Sequence, residues 1–185
     1  MTNNTPDNES AARKAIELDP HNPIAYYNLG SVLAQESARA SEAEAAYRQA
    51  IDLEPNNPRY IYRLALLLHE QLDRFEEAGI AYRRAIALAP DDAFYYGGLI
   101  NLLIQQSQHS EALTFSTTMR ALMIARQQWY GLAALDAILG NGEAAIGYLR
   151  QAAREETFNR EWAQNDPDLA AIRDDQRFRE IVGSE

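Results

Sequence analysis

Between residues 20 and 90 the apolar positions recur at helical spacing. Tyr26, Leu29, Gly30 and Leu33 share one helix face, and Ala43, Ala46, Tyr47 and Ala50 share a face of the next helix. The pattern then returns. Ala15-Ile16-Glu17-Leu18-Asp19-Pro20 reappears as Ala50-Ile51-Asp52-Leu53-Glu54-Pro55 and as Ala85-Ile86-Ala87-Leu88-Ala89-Pro90, each 35 residues after the last. Tyr47-Arg48 becomes Tyr82-Arg83, Glu42-Ala43 becomes Glu77-Ala78, and Leu29 becomes Leu64. A fixed offset over two periods marks an internal repeat, and each period predicts two antiparallel helices without strands. Proline lacks an N–H and fixes φ, so Pro20, Pro55 and Pro90 each follow a second helix, while Asn22-Pro23 and Asn57-Pro58 open the next.

These residues resemble the tetratricopeptide repeat family. Tyr26, Leu29, Gly30, Ala43, Tyr47, Ala50 and Pro55 stand at that family's bulky, Leu, Gly, Ala, aromatic, Ala and Pro positions; Ile61, Leu64, Ala65, Ala78, Tyr82, Ala85 and Pro90 repeat the set. The period of 35 implies one extra residue in each inter-helix turn. The resemblance implies an all-α fold, a right-handed α-solenoid of antiparallel helix hairpins. A degenerate third repeat runs through Tyr96, Leu99, Ile100, Leu103, Glu111-Ala112, Ser116 and Met119, with Ile100 where a small residue is usual and no terminal proline. A fourth follows Trp129, Leu132 and Ala133, turns at Gly140-Asn141-Gly142 and continues through Ala145, Leu149 and Ala152, with Asp136 at an apolar place.

The expected organisation is an array over 1–158 and a C-terminal helical cap over 159–185. Within the array come a flexible tail at 1–5, a capping helix at 6–19, and repeats at about 22–55, 57–90, 93–124 and 126–156. Thr5 is the expected N-cap of the first helix, which reads as an N-terminal cap, the alternative being the cut edge of a longer array. In the tail, Trp162, Leu169, Ile172 and Phe178 supply the apolar surface of a seal, in two short helices with Asp N-caps. Such a tail resembles the endings of many bacterial members of the family.

Composition narrows the chemistry. Of 185 residues, 46% are hydrophobic and 24% charged, as in ordinary globular chains. With no cysteine there is neither a disulfide framework nor a thiolate site. The formal charge of −10 repels phosphate backbones, which excludes nucleic acid as a partner. No segment approaches the ~20 apolar residues of a membrane span, so no membrane insertion and a cytoplasmic location are expected. His21, His69 and His109 have no metal-ligand spacing, and no nucleophile elbow or phosphate-binding glycine loop occurs. The chain therefore reads as no enzyme, with neither cofactor nor metal.

The resemblance implies a concave groove lined by the first helices of successive repeats. It would receive Tyr27, Asn28 and Ser31, then Arg59, Tyr62, Arg63 and His69, then Phe94, Asn101 and Gln105, with Tyr130 extending it. Arg59 and Arg63, four apart on one helix, face the same way and suit a carboxylate, with Tyr27, Tyr62 and Phe94 as apolar floor. The family's heat-shock-protein clamp is not matched, because Tyr27, Ser31, Arg63, Phe94 and Gly98 occupy its places. Gly97-Gly98 inside a helix implies either a close neighbouring helix or a gap for a partner's backbone. The function expected is a non-catalytic scaffold holding a peptide or protein segment in that groove, its identity not encoded in any motif. The alternative is an accessory or regulatory subunit that meets a folded surface or a second copy of itself as a homo-oligomer. Exposed apolar residues on the convex face would favour the latter.

Overall fold

The computed structural model describes residues 5–183, and of residues 5 and 6 only the backbone. The expected flexible tail and the capping side chain of Thr5 fall outside the described residues. Among the described residues eleven helices run in order: α1 (Thr5–Leu18), α2 (Pro23–Leu33), α3 (Ala40–Leu53), α4 (Pro58–Glu70), α5 (Phe75–Leu88), α6 (Tyr96–Gln105), α7 (His109–Ala125), α8 (Trp129–Ile138), α9 (Gly142–Ala152), α10 (Arg160–Asn165) and α11 (Gln176–Val182). Three 3₁₀ segments join them, Ser37–Arg39, Ala93–Tyr95 and Pro167–Ile172. No strand occurs among the described residues. Pro20, Pro55 and Pro90 lie at equivalent points, each two residues beyond Leu18, Leu53 or Leu88. At the next start, Asn22 Oδ1 accepts from the Ile24 and Ala25 N–H groups and Asn57 Oδ1 from Arg59, with Pro23 and Pro58 in the first turn.

The chain divides into two compact units, Met1–Ala112 and Leu113–Glu185. In the first, α2 packs on α3 and α4 on α5 through small residues. Ala43, Ala50, Ala65, Ala78 and Ala85 are fully buried, as is the Tyr82 ring. The closeness is geometric: a Cβ on Gly30 would stand 2.7 Å from Tyr47 Cδ1. Arginines in the inter-helix turns add a second periodic feature. Arg39 reaches back to Glu9 at 2.7 and 2.9 Å and forward to Glu42 at 3.0 Å. Thirty-five residues on, Arg74 does the same with Glu44 at 2.7 Å and Glu77 at 2.6 Å.

In the second unit α8 and α9 form a hairpin. Its core joins Ala133, Ala137, Ala145, Ile146 and Leu149 to Leu169, Ile172, Phe178 and Val182. With Ala163, also fully buried there, the tail contributes five apolar side chains to this core. Trp162 does not join them as expected; it is 58% exposed and stacks on Tyr130 at 4.8 Å. Asp166 Oδ1 caps the 3₁₀ segment through the Asp168 N–H and Asp175 Oδ1 caps α11 through the Arg177 N–H. Ahead of both, Asn159 opens α10 by accepting from Trp162 N–H, a start the sequence reading did not foresee. The unexpected Asp136 is buried and partnered: Arg120 of α7 donates to its Oδ1, as does Asn141 Nδ2 at 3.0 Å. A buried carboxylate is tolerable only when paired and hydrogen-bonded.

Candidate functional site

In the first unit α1, α2 and α4 wall a groove of about 770 Å³. It brings together Tyr27, Asn28, Ser31 and Arg63 of the expected set. Beside it, a recess of about 370 Å³ is lined by Tyr27, Arg59, Arg63, Asp92, Phe94 and Tyr95. Tyr27 and Arg63 line both, so the two adjoin across α2, α4 and the 3₁₀ segment before α6.

The aromatic residues have distinct duties. Tyr27 packs on Tyr60 at 5.1 Å and presents its remaining surface to the groove. Phe94 is 54% exposed, carried on the 3₁₀ segment rather than on α6. Tyr62, expected in the floor, is buried and holds Phe94 from below at 5.0 Å while also meeting Tyr82 and Tyr95. It positions the surface without forming it. Ser31 Oγ donates to the Tyr27 carbonyl at 2.9 Å and accepts from Tyr47 OH at 3.3 Å, so its proton is already engaged.

The two arginines do converge on the recess, as expected from their spacing. Arg63 makes no ion pair among the described residues, unlike Arg13, Arg39, Arg48, Arg74 and Arg83 in the same unit.

His69, Asn101 and Gln105 line neither cavity. His69 instead links α4 to α6 and α5. Its Nε2 lies 2.8 Å from Gln105 Oε1 and its Nδ1 3.3 Å from Tyr82 OH. Gln105 Oε1 can only accept, so Nε2 carries the proton and Nδ1 accepts from Tyr82. Burial pushes the Tyr82 phenol far above its ordinary range and keeps it a donor. Tyr130 is likewise committed elsewhere, within the second unit: its hydroxyl donates to Asp166 Oδ2 at 2.7 Å and its ring carries Trp162.

One wall was not anticipated. Asn8, Ala11 and Ala15 of α1 stand 35 residues before Ala43, Ala46 and Ala50 of α3, whose faces α2 covers. On α1 the same face is open, with Asn8 and Ala11 exposed, and it lines the groove. The repeat offset held that information, since it identifies which face a preceding helix would occupy. Among the described residues no cluster of three or more His, Asp or Glu could hold a metal ion, and no helix is long and apolar enough to cross a membrane.

Two tetratricopeptide repeat models match the chain, one over residues 33–93 and another over 11–45. Solved structures share its fold. A MamA RS-1 ArsTM double mutant superposes with a TM-score of 0.62 at 20% identity, over 68% of this chain and 70% of that one. MamA 41-end from Desulfovibrio magneticus RS-1 gives 0.58 at 21% identity, over 63% and 65%. A further MamA crystal structure gives 0.58 at 19% identity, over 77% and 83%. No curated protein sequence matches the chain.

Proposed function

Since the chain belongs to the tetratricopeptide repeat family, we propose that it is a non-catalytic scaffold whose groove between α1, α2 and α4 holds a carboxylate-bearing segment of a partner protein. The observation that carries this reading is Arg63, which lines both adjoining cavities with no carboxylate of its own among the described residues. A guanidinium matches a carboxylate in a two-pronged hydrogen bond, which gives direction as well as attraction. Tyr27 and the exposed Phe94 flank it and supply apolar contact. With an overall charge of −10, long-range attraction for an acidic segment is weak, so affinity rests on these local contacts.

The test begins with affinity purification from the native host and identification of what co-purifies. The Arg59→Ala/Arg63→Ala double variant, checked for unchanged thermal stability, should then bind that partner at least tenfold more weakly. Unchanged binding by a stably folded double variant overturns the groove reading. The second reading, contact between copies of the chain, rests on a different surface, the one that carries Ile80.

A further inference from the structure

α3 and α5 flank another recess, of about 450 Å³, that opens over α4. Its floor is apolar, formed by buried Ile61, Leu64 and Leu68, and Ile80 of α5 stands at its wall with 69% of its surface exposed. The preceding period has Ala45 at the position of Ile80, so the repeat itself does not require a large apolar group there. On one wall lies Asp52 and on the other Arg84. Neither makes an ion pair among the described residues; Arg84 donates only to the Pro55 carbonyl. An apolar floor between a lone carboxylate and a lone guanidinium fits an apolar side chain flanked by charges of both signs.

The chain carries such a group itself. α1 ends at Leu18, which at 78% is the most exposed large hydrophobic among the described residues. Lys14 lies one turn earlier on the same face, with Glu17 beside it, and neither makes an ion pair among the described residues. We propose that Leu18 of one copy seats in the Ile80 recess of the next, with Lys14 against Asp52 and Glu17 against Arg84. The two patches differ, so each joined pair still offers a free Leu18 at one end and a free recess at the other. Such a head-to-tail contact grows into open chains unless its rotation closes a ring. It is independent of Arg63 and of the groove.

The mass of the full chain is followed by light scattering between ~10 μM and ~1 mM, the range in which small, transient interfaces associate. The native chain should climb past two copies. Leu18→Asp and Ile80→Asp, both at exposed positions and therefore expected to melt like the native chain, should each stay monomeric. Mixed in equal amounts, the first variant offers an intact recess and the second an intact Leu18. The mixture should stop at dimers. A native chain that stays monomeric, variants that associate like the native chain, or a mixture that stays monomeric or grows beyond two would each overturn the proposal. A monomeric native chain that loses a different protein on Ile80→Asp would place that protein in the recess instead.

Discussion

A β-carbon on Gly98 would stand 2.6 Å from Cζ of Tyr82, whereas one on its neighbour Gly97 would meet nothing within 4 Å. The two readings of this glycine pair therefore divide between its members. Gly98 lets α6 pass closely over the Tyr82 ring, and Gly97 faces open space. Gly98→Ala should destabilise the fold by ~1–3 kcal/mol through overpacking. Gly97→Ala should stabilise it by ~0.5–1 kcal/mol, because alanine restricts the unfolded chain and favours the helix. Urea denaturation of both variants measures this, and effects of the same sign would contradict the assignment.

The tail should act as a seal on α8 and α9. Removing residues 159–185 takes Leu169, Ile172, Phe178 and Val182 out of a core shared with Ile146 and Leu149. The truncated chain should melt at lower temperature and self-associate more readily than the native chain. Within the tail the contributions should be unequal. Phe178→Ala should cost ~3–5 kcal/mol, while Trp162→Ala, which removes an exposed ring stacked on Tyr130, should cost ~0.5–1.5 kcal/mol. Equal costs would refute this division of labour.

Asp136 and Arg120 form a pair whose halves cannot be removed singly. Arg120→Met strands a buried carboxylate and should cost ~3–5 kcal/mol, whereas Arg120→Met with Asp136→Leu removes both charges and should recover most of that loss. A double-mutant cycle on thermal or urea unfolding reports the coupling, and strict additivity would show that the pair is not coupled.

Hydrogen bonds from Arg39 first, and then from Arg13, lower the Glu9 carboxyl from an ordinary 4.5 to about 2. The Arg177 guanidinium lowers Asp175 from 3.8 to about 2. A carboxylate with a depressed folded-state pKa stabilises the fold above its unfolded value, and that contribution is lost as pH falls toward the folded value. Stability should therefore decline between pH ~4.5 and ~2, with a salt-dependent part because these pairs lie at the surface. Arg39→Gln should raise the Glu9 midpoint in a carboxyl NMR titration and flatten the decline. A midpoint that does not move would remove Arg39 as its cause.

The helices and their order were legible because period, proline punctuation and asparagine caps agree locally. The site was legible only in part. A residue's place in a repeat tells which helix it sits on and which neighbour it faces. It does not tell how deeply a large ring sinks, and so Tyr62, with room beneath Phe94, lies under the surface it was expected to form. Nor does it assign polar groups to one another. His69 and Gln105, 36 residues apart, were both placed on the binding face, yet they satisfy each other. Trp162 shows the limit of apolar composition, because a hydrophobic side chain can lie flat on Tyr130 rather than enter the core.

The turn arginines make each period a transposable part. Arg39 closes on Glu9 behind and Glu42 ahead, and Arg74 on Glu44 behind and Glu77 ahead. A second copy of residues 40–74 spliced in after Arg74 would present Arg74 with the new Glu42 and present the new Arg74 with Glu77. Excising the same block would leave Arg39 between Glu9 and Glu77. Every junction keeps one guanidinium and two carboxylates, so the length of the array can change by whole periods without stranding a charge. Beyond α5 this interchangeability ends, because Gly79, His109 and Ala112 stand where the next Glu, Arg and Glu would be.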